Sequence, residues 1–214
     1  MESLSRFAMN MGRCSENFDI ILIMKKILFF PGAFNPPHNG HISLVRTALS
    51  QFTFDEVWIM PSGRRDDGKI ISTDYEDRRN LNILFTNYLQ KTTQIPIILI
   101  TDEIDDMEDL GTKELIRRIK ATPGVDMIQL IGSDAYSSLL ENNLIVDSEK
   151  FLIFNRVGHI LDFSVRAGDH FFDVELPNIS STMIRAMFKE QNDKYKELVP
   201  EEIGEYIDSK NLYK

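Results

Sequence analysis

The chain has 214 residues, 43% hydrophobic and 27% charged, with a formal net charge of −9 and a single cysteine. That is enough apolar residue for one substantial core, while the acidic balance argues against a general nucleic-acid surface, which needs a basic face. One cysteine rules out a disulfide framework and suits a reducing cytoplasm, and no apolar run approaches the ~18 residues of a membrane span.

Residues 1–23 show no clear periodicity and lack the basic, apolar and small-residue segments of a secretory signal. They read as an N-terminal extension, either a mis-assigned start or a mobile arm, with the functional domain spanning 24–214. From Ile27 to Phe30 the residues are all apolar, as in a strand buried on both faces of a parallel sheet. Gly32, Pro36 and Pro37 break that strand, and Ile42, Leu44, Val45 and Leu49 then follow a helical period beginning near Asn39 or Gly40. Strand, loop and helix in direct succession place a helix N-terminus, with its unpaired N–H groups, at the carboxyl end of a strand. His38 and His41 stand three apart in that first turn, so both imidazoles can donate toward one phosphate, and Gly40 between them leaves room for it. A zinc pair is the weaker reading, because further ligands are hard to find among four histidines and Cys14.

Glu56–Met60 reads as a second strand with Trp58, the only tryptophan, in the core. The stretch from Gly63 to Lys69 is a near miss to the P-loop, rejected because Ile70 stands where a Mg²⁺-binding Ser or Thr belongs. Thr73 to Glu76 matches a capping box opening a helix with Leu81, Leu84, Phe85 and Leu89 on its apolar stripe. Gln94–Ile100 reads as a third strand, and the acidic run 102–109 as solvated surface without calcium-loop spacing. Thr112 is placed to cap the next helix. Met127–Ile131 is a fourth strand, followed at once by Gly132, Ser133 and Asp134. There a small residue admits a ligand to the backbone, and a carboxylate can accept from ribose hydroxyls or simply cap its helix. Strands follow at Phe151–Phe154 and Phe171–Leu176. Ser180, Ser181 and Thr182 then bring hydroxyls to a helix start, with Arg185 three residues on as a second anion site. The expected fold is α/β, a Rossmann-like, doubly wound and mainly parallel sheet with a small C-terminal helical appendage.

Residues Gly32 to His41 (GAFNPPHNGH) resemble the signature of the nucleotidylyltransferase superfamily, and the Phe-Asn-Pro-Pro-His form is most similar to the nicotinate/nicotinamide mononucleotide adenylyltransferases. The segment 179–185 is close to that family's Ile-Ser-Ser-Thr-x-Ile-Arg, Gly132-x-Asp134 to its nucleotide-binding Gly-x-Asp, and 199–213 to its C-terminal helix and tail. The resemblance implies that AMP passes from ATP to a pyridine mononucleotide, releasing pyrophosphate in NAD biosynthesis. It further implies that His38 and His41 donate to the α- and β-phosphates and that the backbone of Gly32, Ala33 and Phe34 lines the crevice. Ser180, Ser181, Thr182 and Arg185 would face the outer phosphates, and Gly132 and Asp134 the adenosine ribose, with Mg²⁺ arriving on ATP. By the same resemblance Lys69 reaches in from its loop, Thr112 helps hold the pyridine ring and Arg156 lies near the mononucleotide. Where the family often has Leu-Trp, with the tryptophan stacked on that ring, this chain has Leu144 and Ile145.

The partners expected are therefore ATP and a pyridine mononucleotide, not nucleic acid or membrane, in a cytoplasmic protein; a homo-oligomer is compatible with the sequence. The competing readings are phosphopantetheine adenylyl- or cytidylyl-transfer, and a nucleotide-binding sensor without activity. An aminoacyl-tRNA synthetase shares the histidine tetrad, but the chain is too short and acidic for one.

Overall fold

The structure is a computed structural model that describes residues 24–63, 73–101, 117, 121–145, 149–155, 165–172 and 178–213. Six parallel strands form one sheet in the order β3-β2-β1-β4-β5-β6. They are β1 (Lys25–Gly32), β2 (Glu56–Pro61), β3 (Ile97–Leu99), β4 (Val125–Gly132), β5 (Lys150–Phe154) and β6 (His170–Phe172). Among the described residues the helices with set bounds are α1 (Asn39–Gln51), α2 (Tyr75–Thr92), α3 (Ser133–Glu141), α4 (Ser181–Lys189) and α5 (Glu201–Lys210), with a 3₁₀ turn at Asp193–Leu198 before α5.

The apolar run of β1 behaves as its composition demands. Ile27, Leu28, Phe29 and Phe30 are all buried, because β1 lies between β2 and β4 and alternate side chains serve opposite faces. Leu28 and Phe30 join the main core, with Val45 and Ala48 of α1, Leu81, Phe85 and Leu89 of α2, Ile184 and Phe188 of α4, and Ile203 and Ile207 of α5. Phe29 points the other way, into a smaller cluster with Met60, Met127 and the partly buried Trp58. Ile131, Tyr136, Phe151 and Ile153 pack under α3. The C-terminal helices thus share the main core of the sheet.

Several boundaries differ from the sequence reading, each for a local reason. The third strand contracts to Ile97–Leu99; Pro96, which has no N–H to give, offers only its carbonyl, accepting from Val57 N at 3.0 Å. The capping box at Thr73 is not formed. Asp74 is the N-cap of α2, accepting from Glu76 N at 2.8 Å, while Thr73, one residue outside the helix, donates its hydroxyl to Asn35 Oδ1 at 2.9 Å. Of the strand expected at 171–176, β6 covers Phe171 and Phe172, while 173–177 lie outside the described residues. The extension 1–23, the P-loop-like segment beyond Gly63 and the acidic run 102–109 lie outside them too.

Strand order fixes where a ligand belongs. The chain leaves β1 toward β2 and β3, then returns to β4 on the opposite side of β1. Between β1 and β4 the connections diverge, opening a crevice outside the carboxyl ends of those strands. The Gly32–His41 turn follows β1 and Gly132-Ser133-Asp134 follows β4, so both motifs stand at the crevice.

Candidate active site

The turn after β1 is built around Phe34, which takes a left-handed backbone (φ +42°) and buries its ring. A Cβ on Gly32 would lie 3.0 Å from that ring, so the glycine makes room for the phenylalanine two residues on. The ring of Phe34 meets Phe30 edge-on at 5.1 Å and His41 at 4.9 Å. An aromatic floor therefore sets the height of the second histidine.

His38 is the N-cap of α1 and His41 its third helical residue. The backbone N–H of His38 donates to His41 Nδ1 at 3.2 Å, the bond that a Glu or Gln makes in an ordinary capping box. With Nδ1 accepting, the neutral His41 ring carries its proton on Nε2, where it is a donor. The two imidazoles stack at 3.7 Å between centroids and 25° between planes, so they present one combined face. Gly40 serves that stack directly: a Cβ there would lie 3.0 Å from both Cε1 and Nδ1 of His38. The space foreseen there for a phosphate is taken by the histidine's own ring.

The distant arginine arrives at the same turn. Arg185 Nη1 donates to the carbonyl of Asn35 at 2.7 Å, three residues before His38, and its Nη2 donates to Thr182 Oγ1 at 3.2 Å. Ser180 caps α4 by accepting from Met183 N at 3.1 Å, and Ser181 Oγ donates to the carbonyl of Pro36 at 2.8 Å. Ser181 thus gives its proton to the turn, while Ser180 and Thr182 accept and keep theirs, so these two hydroxyls stand with the backbone N–H groups and the guanidinium as the donors of this helix start. Ile179 lies against Gly40, its Cβ 3.7 Å from where a glycine Cβ would stand. The N-termini of α1 and α4 therefore meet at one turn, though 142 residues separate Asn39 from Ser181 (181 − 39).

Sequence reasoning passed over Asn35, Arg78 and Tyr213. Arg78 of α2 is fully buried. It donates to the carbonyls of Ala33 (3.1 Å), Gly63 (3.3 Å) and Ser62, tying the ends of β1 and β2 together. Its signal was available: a charged residue in helical step with Leu81, Phe85 and Leu89 is worth a question. Asn35 and Tyr213 gave no comparable sign.

At the end of β4, Gly132 is the N-cap of α3, and Asp134 sits in the helix's first turn. A Cβ on Gly132 would stand 2.6 Å from Asp134 Oδ1; the glycine exists for the carboxylate. Farther along, Leu144 is exposed, and Ile145 packs against the cluster under α3. Lys69, Thr112 and Arg156 lie outside the described residues. Among the described residues, no group of three or more His, Cys, Asp or Glu side chains is placed to hold a metal ion, and no helix is long and apolar enough to cross a membrane.

Residues 29–187 match the model of the cytidylyltransferase-like family. A protein of Halalkalibacterium halodurans, named a probable nicotinate-nucleotide adenylyltransferase, is 32% identical over 89% of this chain and 92% of its own. The chain belongs to the nicotinate-nucleotide adenylyltransferase family. The Bacillus subtilis nicotinate-nucleotide adenylyltransferase is 28% identical, over 89% of this chain and 99% of its own. In fold the chain is similar to Plasmodium falciparum nicotinic acid mononucleotide adenylyltransferase. The structure complexed with NaAD has a TM-score of 0.67 at 20% identity and that with APC a TM-score of 0.68 at 19%, each over 88% of this chain and 97% of the other.

Proposed function

We propose that the chain transfers the AMP moiety of ATP to the phosphate of nicotinate mononucleotide, forming the nicotinate dinucleotide and pyrophosphate. An acceptor phosphate oxygen attacks the α-phosphorus, the bond from that phosphorus to the α,β-bridging oxygen breaks, and its electron pair leaves with pyrophosphate. The attacking phosphate is already ionised near neutral pH, so the protein has no proton to remove. Its work is orientation and stabilisation of charge moving onto the leaving group.

The observation that carries this reading is the junction of Arg185 with the carbonyl of Asn35, beside the stacked His38 and His41. It supports one polyanion spanning two helix N-termini, with the histidines at the α- and β-phosphates and Thr182 and Arg185 at the β- and γ-phosphates. ATP enters as its magnesium complex, the ion held by phosphate oxygens and water. Gly132 and Asp134 are suited to the adenosine ribose, and the crevice backbone of Gly32, Ala33 and Phe34 to the nucleotide between them. Residues 24–214 form the transferase unit, with 1–23 dispensable.

Pyrophosphate release is the direct test, measured with ATP and a panel of nicotinate mononucleotide, nicotinamide mononucleotide and phosphopantetheine. Release with nicotinate mononucleotide, and less with the others, is expected. Preference for nicotinamide mononucleotide would move the acceptor assignment, and silence with every acceptor would overturn the transfer reaction in favour of a nucleotide sensor.

A further inference from the structure

We propose that Tyr213, the penultimate residue, is a positioning residue of the transfer site: it holds Asn35, and through Asn35 the guanidinium of Arg185, in place for the leaving phosphates. This rests on the adenylyl-transfer reading above and adds to it a role for the C-terminal tail.

Asn35 is the hub. It is buried, and its Oδ1 accepts two hydroxyl bonds, from Tyr213 at 2.7 Å and from Thr73 at 2.9 Å. Its backbone carbonyl is the acceptor that anchors Arg185 Nη1. The tail, the segment entering α2 and the N-terminus of α4 are therefore joined at one residue of the signature turn. An amide oxygen bonded by two hydroxyls has little rotational freedom, so the peptide carrying Arg185's acceptor is fixed as well.

The tail is shaped to deliver that hydroxyl. Helix α5 ends at Asn211 in the left-handed region (φ +54°), and Tyr213 lies there too (φ +68°). Non-glycine residues adopt this backbone at a cost, and persist in it where the surroundings hold them. Leu212 N–H closes the turn onto the carbonyl of Ile207 at 3.1 Å, and the Leu212 side chain packs against the main core. The Tyr213 ring meets Phe188 of α4 edge-on at 6.4 Å. Burial pushes the Tyr213 hydroxyl well above the usual phenol range, so it remains a protonated donor at every working pH.

Tyr213→Phe tests this, because it keeps the ring against Phe188 and deletes only the donor. Turnover with ATP and nicotinate mononucleotide is expected to fall about tenfold, with KM for the mononucleotide unchanged, since the lost hydroxyl acts through Asn35 on Arg185, the group that meets the leaving phosphates in the proposed reaction. Affinity for pyrophosphate itself, measured by calorimetry, should weaken severalfold. Leu49→Ala, which thins the main core at the far end of α1, is the control for packing: it should lower the melting temperature while leaving turnover and pyrophosphate affinity at their wild-type values. Wild-type turnover and pyrophosphate affinity in folded Tyr213→Phe would overturn the proposal. So would losses in both variants that simply track melting temperature. If the wild-type protein turns over no mononucleotide, the transfer reading fails by itself, and the pyrophosphate titration still decides whether Tyr213 positions the anion site.

Discussion

The two turns that face the crevice between β1 and β4 are made differently. The turn after β1 is held from outside by side chains drawn from across the chain. Arg78 reaches Ala33, Thr73 and Tyr213 reach Asn35, Arg185 and Ser181 reach Asn35 and Pro36, and Asn39 Nδ2 donates to the carbonyl of Glu197. At the turn after β4 a glycine makes room for its own aspartate, and the segment runs on to an exposed Leu144. In the proposed reaction the first turn meets the phosphates and the second receives the nucleoside. Electrostatic stabilisation demands groups that need no reorganisation as charge develops, whereas ribose and ring contacts tolerate adjustment. Perturbations of the first turn should therefore fall on turnover, and those of the second on substrate affinity.

The largest effect is expected at His41. In His41→Ala the donor at Nε2 is lost and turnover should fall about 10²–10³-fold, the range seen when one pre-set donor to a developing oxyanion is removed, with ATP affinity changed far less. The same substitution deletes the capping contact to His38 N, so the helix should lose about 1 kcal/mol; thermal unfolding measured beside steady-state kinetics separates the two losses. An unchanged turnover number would remove His41 from the mechanism. It would also erase the distinction drawn between the two turns.

Gly132→Ala sharpens the comparison from the other side. The new methyl would stand 2.6 Å from Asp134 Oδ1 and 3.3 Å from the Phe154 ring, and the carboxylate is the part able to move. Displacing one hydrogen-bonding group is worth about 1 kcal/mol, so KM for ATP should rise roughly fivefold with turnover nearly kept. A fall in turnover as steep as that of His41→Ala would show that the second turn is as tightly coupled to the chemistry as the first.

The same contrast explains what the sequence could and could not disclose. Features that depend on nearest neighbours were legible: the buried run 27–30, the helix start at Asn39, the strand-glycine-aspartate junction, and the hydroxyl-rich start of α4. The space-saving role of the glycines was not, because it depends on where a side chain two residues away folds back, onto Gly32 from Phe34, Gly40 from His38 and Gly132 from Asp134. Thr73 misled for a related reason. Its spacing to Glu76 fits a cap, but Asp74 next to it takes the cap, and the Thr73 hydroxyl turns to a partner 38 residues earlier that no local pattern records. Asn35 and Tyr213 are 178 residues apart, so their pairing exists only once α4 and α5 have closed onto the sheet. Membership of the family was legible in the motifs themselves; the scaffolding that holds them was not.

The smallest expected effect lies at the variable end of the second turn. Ile145 stands where members of the family often place a ring-stacking tryptophan, and it is half-buried against the cluster under α3 rather than fully enclosed. Leu144 beside it is 45% exposed, so the segment has open space on one side to accommodate a larger neighbour. In Ile145→Trp a stacking contact with the pyridine ring would add roughly 0.5–1.5 kcal/mol, which is about a two- to tenfold lower KM for the mononucleotide. ATP affinity and turnover should not change, because in the proposed reaction the first turn, not this segment, meets the phosphates. The sign of the KM change is the informative result. A fall supports a pyridine ring docking beside Ile145 and an acceptor site left loose by an aliphatic side chain, whereas a rise, in a protein of unaltered melting temperature, would mean that Ile145 already fits an acceptor of another shape.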